Sequence, residues 1–457
     1  MRIVVCVRQG LDGEINPFDA CAYEEALRIE GAEVTLLSMG PTTAKDLLLN
    51  LTRLGAKKAI LLCDRAFAGA DTLATAYALS MAIKKIQPDL VLCGRQTLVG
   101  DTAQTGAMLS VLAELSLVTN VMKIAEIDGE AVLCDTRDEG RAEAKLPALL
   151  TVERINNLRL PRLRSKLGEV EVWSAADVGA DESRCGLKGS PTRVIKTFEN
   201  SSGKRKCQFI AREQLEYAIS EGLNKSRESI TADTQEGERL SRVCIVGEAP
   251  RSFATTVSDD ITVIPLTTAD EITKKIKELE PTAVLWASDS KSKRLSAVVA
   301  ARLSLGLCAD CTSLEAADGE LMMYRPALSG SIIAKIKSLT RPAMATVRTD
   351  SGNSRDIIVA AGFGVKDKMD EVSSFAEDLG AELCATRRLV DNGYAPYDAQ
   401  VGLTGKTVSP PVYIAIGVSG AVHHIAGMQR SGTVIAINPD KDAPIFEYAD
   451  YGIVDNF

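Results

Sequence analysis

Histidine is almost missing from this chain: there are two among 457 residues, beside two tryptophans and an aromatic content of only 4%. Both histidines are neighbours, His423 and His424. The lone C-x-x-C, Cys308 to Cys311, would need further ligands nearby to hold zinc or an iron–sulfur cluster, and the histidines lie more than a hundred residues away, so no metal is expected. Long apolar runs are also missing. None reaches the ~20 residues of a membrane span, and the N-terminus enters a strand pattern without the charged start and cleavage site of a signal peptide. A cytoplasmic location is expected. Positive charge is scarce as well, with 53 Lys and Arg against 61 Asp and Glu and a formal net charge of −8. That balance argues against a nucleic-acid groove, which collects cations to neutralise phosphates.

What is present describes a soluble globular chain: 46% apolar residues, and a length that supports about three domains. Eleven cysteines, an odd number, without an export signal read as reduced thiols rather than a disulfide framework. Cys6, Cys63 and Cys93 each close an apolar strand at its carboxyl end, the side on which open α/β sheets bind ligands; as small apolar residues they also suit a core.

From residue 2 to about 115, strand and helix patterns alternate: Ile3 to Val7, Ala20 to Ile29, Val34 to Ser38, Thr43 to Arg53, Ala59 to Cys63, Thr72 to Ile86, Leu90 to Cys93, Thr102 to Glu114. The strands are apolar on both faces, as in a doubly wound parallel sheet of the α/β class. Residues 160 to 191 read as an extended arm, and 196 to 241 as a polar segment with an amphipathic helix near Arg212 to Gly222 and a joint near 225 to 241. A second, shorter alternation runs from Val243 through Ala283 to Trp286 and Leu295 to Leu303, and a third fills the C-terminal part. The expected division is 1–195, 196–241, 242–335 and 336–457.

Two kinds of phosphate cradle stand out. Tyr413 to Met428 reads as strand, glycine turn and helix: the apolar run stops at Gly417, Ser419-Gly420 opens the turn, and the following helix points free amides outward. His423 and His424 fall in its first turn, where a histidine can change charge near neutral pH. In the first alternation, Leu61 to Thr75 runs from a strand end into a helix with Asp71 as its cap. Gly94 to Gly106 repeats that geometry, with Gly100, Asp101, Thr102, Gln104 and Thr105 as donors, and Ser38 to Pro41 ends a third strand. Two cradles on adjacent strand ends imply one nucleotide between them, lined by Cys6, Val7, Ser38, Cys63, Asp64, Asp71, Thr72 and Thr75.

The stretches Ala385 to Asp391, Val401 to Lys406, Tyr413 to Met428, Ala436 to Asp440 and Ala443 to Val454 together resemble, in order, the FAD-binding end of the electron transfer flavoprotein alpha subunit. The opening, Ile3 to Gln9, Ile15 to Asp19 and Gly94 to Gly106, resembles the beta subunit, so the chain looks like a beta-then-alpha fusion in which one chain replaces the usual heterodimer. Ala300 to Thr312 and Tyr324 to Gly330 are similar to a shortened first alpha domain. The resemblance implies that Thr386 and Arg387 pack at the flavin ring, that Thr404 donates to ring nitrogen N5 and that His424 reaches the C2 carbonyl. Gln400, Val401, Gly402 and Gly405 would line the loop, with His423 beside His424; Ser419, Gly420 and Ala421 would take the pyrophosphate, and Asn438 the adenosine end. Cations near the ring would hold down the energy of the one-electron reduced flavin.

Three positions depart from the family pattern: Phe363 between two glycines where arginine is usual, and Leu403 and His423 where glutamine is usual. The first nucleotide is AMP in simple members. The wording Ser38 to Pro41 and Asp64 to Thr75 is closer to the electron-bifurcating branch, which places a second FAD there and oxidises NADH. The resemblance further implies an acyl-CoA dehydrogenase-like partner of fatty acid β-oxidation, with ferredoxin or flavodoxin as the low-potential acceptor. Val172 to Asp181 and Leu187 to Thr192 are similar to the partner-recognition arm, Leu187 being its anchor or, alternatively, a residue packed on its own domain. A nucleotide-binding sensor that has lost electron transfer is the rival reading.

Overall fold

The computed structural model describes residues 1–10, 13–97, 100–199, 204–228, 238–327, 332–349, 355–402 and 405–457. They fall into two compact units: Met1–Thr197 with Gly237–Leu328 and Ala334–Val347, and Phe198–Glu236 with Ser329–Ile333 and Arg348–Phe457.

In the first unit, β1 (Arg2–Cys6), β2 (Glu33–Met39), β3 (Lys58–Leu62) and β4 (Leu90–Gly94) are parallel, apolar on both faces and covered by helices. β5 (Ser116–Ile127), β6 (Ala131–Thr136), β7 (Gly140–Lys145), β8 (Ala148–Val152) and β9 (Glu169–Trp173) complete a nine-stranded sheet in the order β7-β6-β5-β8-β4-β1-β2-β3-β9. Beyond β10 (Thr192–Glu199) and β11 (Gln208–Phe209) come β12 (Val243–Val246), β13 (Ile261–Ile264), β14 (Ala283–Ala287), β15 (Leu307–Cys311), β16 (Ser313–Ala317), β17 (Glu320–Ala327), β18 (Ile332–Ser338) and β19 (Ala343–Val347). A second parallel sheet runs β13-β12-β14-β19-β15, and β10-β18-β17-β16 form a third. The second unit holds β20 (Ile357–Ala361), β21 (Glu382–Ala385), β22 (Val412–Ile416), β23 (Thr433–Ile437) and β24 (Tyr451–Ile453) in a parallel sheet ordered β11-β24-β23-β22-β20-β21.

The α/β class and the parallel sheets agree with the sequence reading; the divisions shift. Residues 1–195 and 242–335, expected as separate domains, share one core in which Trp286, Cys244 and Val246 pack in the same cluster as Val4, Phe67 and Met108. That middle domain also runs past 335, because the apolar β19 completes its sheet between β14 and β15. Residues 160–191 are not simply an arm: β9 adds to the first sheet as a parallel edge strand on β3. Part of the expected joint near 225–241 lies outside the described residues. The polar segment before it is structural, since β11 pairs with β24 and the helix Leu215–Glu228 buries Ala218 and Ile219 against Val359 and Ile414. Replacing Ile219 by alanine should therefore cost the second unit about 2–3 kcal/mol, read as a lower urea midpoint; a change within error would mean the helix is only a tether.

Candidate functional site

Ligands of open α/β sheets sit where the strand order reverses, outside the carboxyl ends. In the second unit that point lies between β20 and β22, because β20 is the first strand of the motif and has β21 on its other side. The two strands end there in abutting turns. Gly364 N donates to Gly417 O at 3.2 Å, and a Cβ on Gly362 would stand 2.0 Å from that oxygen. Ser419 O accepts from Ile445 N, and Gly420, at φ +91° with a would-be Cβ 2.2 Å from Ile445 N, has no room for a side chain. Ala421 then starts the helix Val422–Met428.

The other expected residues converge on the same edge. Thr386, at the end of β21, is tied to β20 by Thr386 N to Ala361 O, and Arg387 opens the next helix. Gln400, Val401, Gly402 and Gly405 form a loop held by Val401 N to Ala385 O and Lys406 N to Gln400 O. It lies directly on the histidine helix, where a Cβ on Gly427 would meet Gly402 N at 2.4 Å. Thr404 and Leu403 lie outside the described residues. Asn438, at the end of β23, donates to Val418 O and accepts from Asp440 N, so it also braces the loop that was expected to hold the pyrophosphate.

The two histidines divide their work. His424 is buried, with Nδ1 3.2 Å from Val401 O and Nε2 2.9 Å from the Tyr413 hydroxyl. A carbonyl only accepts, so Nδ1 carries the proton and Nε2 accepts from Tyr413. Burial pushes the pKa down to about 4. The expected change of charge near neutral pH is therefore not met at His424, and both its nitrogens are engaged within the protein. His423 is only partly buried; burial first, and then the charge of Arg387, lower its pKa. Its Nε2, like the Thr386 hydroxyl, is buried with no hydrogen-bond partner among the described residues. Phe363, in the place of the usual arginine, lies 4.1 Å from the Arg388 guanidinium and 5.2 Å from Lys366 Nζ, and meets Tyr394 edge-on. Positive charge is thus kept around that position although the side chain at it is neutral.

In the first unit the reversal falls between β1 and β4. Cys6 stands opposite Cys93 in register, and burial, then Asp19, pushes the Cys6 thiol up to about 12. Asp19, which sequence reasoning passed over, joins the two loops by accepting from Arg8 N at 2.8 Å and Gly94 N at 3.1 Å. Burial raises its carboxyl to about 7. Val7 N bonds Leu37 O, and Ser38 is buried at the end of β2.

The two carboxylates expected to line the nucleotide are largely occupied by structure. Asp64 accepts from Ala66 N and Ala175 N, and Asp71 from Ala74 N, Thr192 N and the Thr192 hydroxyl. Thr72 and Thr75 lie in the first turn of the helix Asp71 caps, and Cys63 directly follows β3. On the other side, Asp101 takes a left-handed φ of +50°, Arg325 donates to Gly100 O and Asp101 O, and Thr102 and Thr105 lead into the helix Thr105–Leu112. Gln104 is fully buried, with neither amide atom hydrogen-bonded to any described residue.

Leu187 sits in the short helix Gly186–Gly189, its backbone bonded to Ala68 O and its side chain 54% exposed. Leu160 and Leu163 are more exposed still, at 87% and 103%. The signal for them was the leucine–cation alternation of 158–167, which the reading of an extended arm left unused. Among the described residues no group of three or more His, Cys, Asp or Glu could hold a metal, and no helix is long and apolar enough to cross a membrane.

The electron transfer flavoprotein domain matches residues 3–178 and 254–361, and the electron transfer flavoprotein FAD-binding domain matches 353–429. This chain belongs to the electron transfer flavoprotein family. It is 42% identical over 223 residues to protein FixA of Azorhizobium caulinodans, covering 45% of this chain and 79% of the relative. To the beta subunit of Thermoanaerobacterium thermosaccharolyticum it is 45% identical over 205 residues (42% of this chain, 78% of the relative), and to the alpha subunit of that organism 38% over 232 residues (41% and 70%). One electron transfer flavoprotein chain thus carries stretches similar to both subunits, and its C-terminal part is an FAD-binding domain. The crevice fits that cofactor: close turns without side chains suit a diphosphate, and the unpartnered Thr386 hydroxyl and His423 Nε2 stand beside Arg387.

Proposed function

We propose that FAD binds at the β20/β22 crevice and passes electrons between an acyl-CoA dehydrogenase-like flavoenzyme and a redox acceptor. Bound FAD supplies one-electron and two-electron chemistry. The observation that carries the reading is the meeting of Arg387 with two buried, unpartnered polar atoms at the end of a glycine-walled crevice. In this reading Arg387, with Thr404, steadies negative charge on the ring, and Thr386 and His423 complete its polar edge. His424 acts as a neutral brace that fixes loop 400–402 onto its helix. Gln400, Val401, Gly402 and Gly405 wall the ring, and Ser419, Gly420 and Ala421 receive the diphosphate. Leu187 offers an apolar contact to the partner.

For the first unit we propose a second FAD, oxidising NADH in electron bifurcation with a ferredoxin or flavodoxin as the low-potential acceptor. The buried, unsatisfied Gln104 beside the Asp101 turn supports a ligand there, and fits AMP equally. Extraction and counting decide between them: two FAD per chain and bleaching of the flavin by NADH under anaerobic conditions are expected. One FAD with one AMP and no bleaching would reduce the protein to a plain carrier, and a colourless protein that refuses added FAD would leave the nucleotide sensor.

A further inference from the structure

Cys308 and Cys311 belong to neither proposed flavin crevice, and a regular strand would hold them apart, because residues three apart project to opposite faces. β15 departs from regularity. Its register on β19 shifts between Cys308, opposite Ala345, and Cys311, opposite Val347, so three steps on one strand span two on the other. Asp310 supplies the turn with a left-handed φ of +55°. The extra residue brings Cys311 back to the side of Cys308. Both cysteines lie in one apolar cluster with Leu314 and Met323, Cys308 is 3% and Cys311 0% exposed, and the Cys311 sulfur lies 4.0 Å from Cys308 O. Proximity to the Cys311 thiol, and then the charge of the buried Arg325, lower the Cys308 pKa against the effect of burial. All eleven cysteines are free thiols.

We propose that Cys308 and Cys311 form a redox-active dithiol that closes to a disulfide under a small hydroperoxide and reopens with a dithiol reductant. The Cys308 thiolate attacks a peroxide oxygen, breaking the O–O bond and becoming a sulfenic acid as hydroxide leaves. The Cys311 sulfur then attacks the Cys308 sulfur, its proton joins the departing oxygen, and water is expelled. In sum, two thiols and one hydrogen peroxide give one disulfide and two waters. Cys308 is the attacking thiol because its thiolate is the favoured one; Cys311, whose thiol burial pushes up, resolves. The register shift that sets both cysteines on one side makes the second step intramolecular, which favours closure over further oxidation of Cys308. Asp310, between the two cysteines, pairs with Lys293 at 2.8 Å. Lys293 faces a small cavity shared with Arg95, Asn120 and Arg294. Closing the disulfide pins the bulge and with it this ion pair.

The test treats the chain with hydrogen peroxide, quenches with N-ethylmaleimide under denaturing conditions and maps the tryptic peptide 303–335, which holds both cysteines because trypsin does not cut between Arg325 and Pro326. We expect thiols to fall from eleven to nine, this peptide to lose both labels and two hydrogens, and dithiothreitol to restore it. Cys311→Ser should halt at oxidised Cys308 without a crosslink. Retention of both labels while other cysteines react, or sulfinate at Cys308 beside a free Cys311 in the unsubstituted protein, overturns the proposal; neither readout needs the variant to fold.

Discussion

Lowering the pH from 8 to 4 is expected to stabilise the first unit through Asp19 by about 4 kcal/mol. Its carboxyl is raised by burial from 3.8 to about 7 in the folded state. A folded pKa above the unfolded one means the native state binds the proton more tightly, so the contribution is complete below the unfolded pKa and is lost as the pH climbs through 7. The carboxylate survives above that because Arg8 N and Gly94 N donate to it, but the two bonds do not offset removal from water. Asn16 and the Arg8 charge act in the same lowering direction and are likewise outweighed. Asp19→Asn should abolish this pH dependence at a fixed cost of one hydrogen bond, since an amide nitrogen then faces a backbone N–H. Urea unfolding of the first unit at pH 4, 6 and 8 measures it. A pH-independent midpoint in the unsubstituted chain would show that Asp19 stays ionised throughout.

The second unit should respond with the opposite sign. His424 has its pKa lowered from 6.5 to about 4, so between those values the unfolded chain takes up a proton that the folded one refuses. Stability is complete above about 6.5 and falls by about 3 kcal/mol as the pH drops to 4. The loss has a specific geometric cause. Protonation of Nε2 would turn the acceptor of the Tyr413 hydroxyl into a donor and place a charge among buried side chains. Losing the Tyr413 bond would loosen the ring that braces Val401 and loop 400–402, so FAD should leave in the same window. His424→Phe should flatten the dependence while lowering stability at every pH, by leaving the buried Tyr413 hydroxyl and Val401 O unpaired. Retention of FAD and an unchanged midpoint from pH 7 to 4 would contradict this account of His424.

Much of this architecture was legible in the chain, and the exceptions have physical reasons. Continuous apolar runs such as Ile3 to Val7 and Tyr413 to Ile416 mark strands buried on both faces, and the glycines at 362, 417 and 420 mark turns where backbone meets backbone. β5 to β7 were not foreseen: they form antiparallel hairpins, and β7, Gly-Arg-Ala-Glu-Ala-Lys, has a mostly exposed face and little apolar signal. The amphipathic helix expected near Arg212 to Gly222 is present as Leu215–Glu228, but what its apolar stripe covers lies far along the sequence and did not show there. At the candidate site, residue types and order indicated the crevice, whereas partnership did not show. That His424 is held by Tyr413, that Asp19 joins two strand ends, and that Asp64 and the expected cap Asp71 also accept from Ala175 N and Thr192 N are facts of tertiary contact, which spacing along the chain does not encode.

The reading of the C-terminal crevice rests on a cation steadying an electron-rich flavin, and Arg387 is the residue to change. In protein reconstituted with one FAD, Arg387→Ala should lower the first one-electron reduction potential by about 60–120 mV, the loss of one charge-assisted bond at 59 mV per tenfold. Flavin content should stay near one per chain, since the turns at Gly362, Gly417 and Gly420 are untouched. Stepwise reductive titration of the two proteins side by side gives both numbers. An unchanged potential with FAD fully bound would place the flavin away from Arg387 and contradict the account.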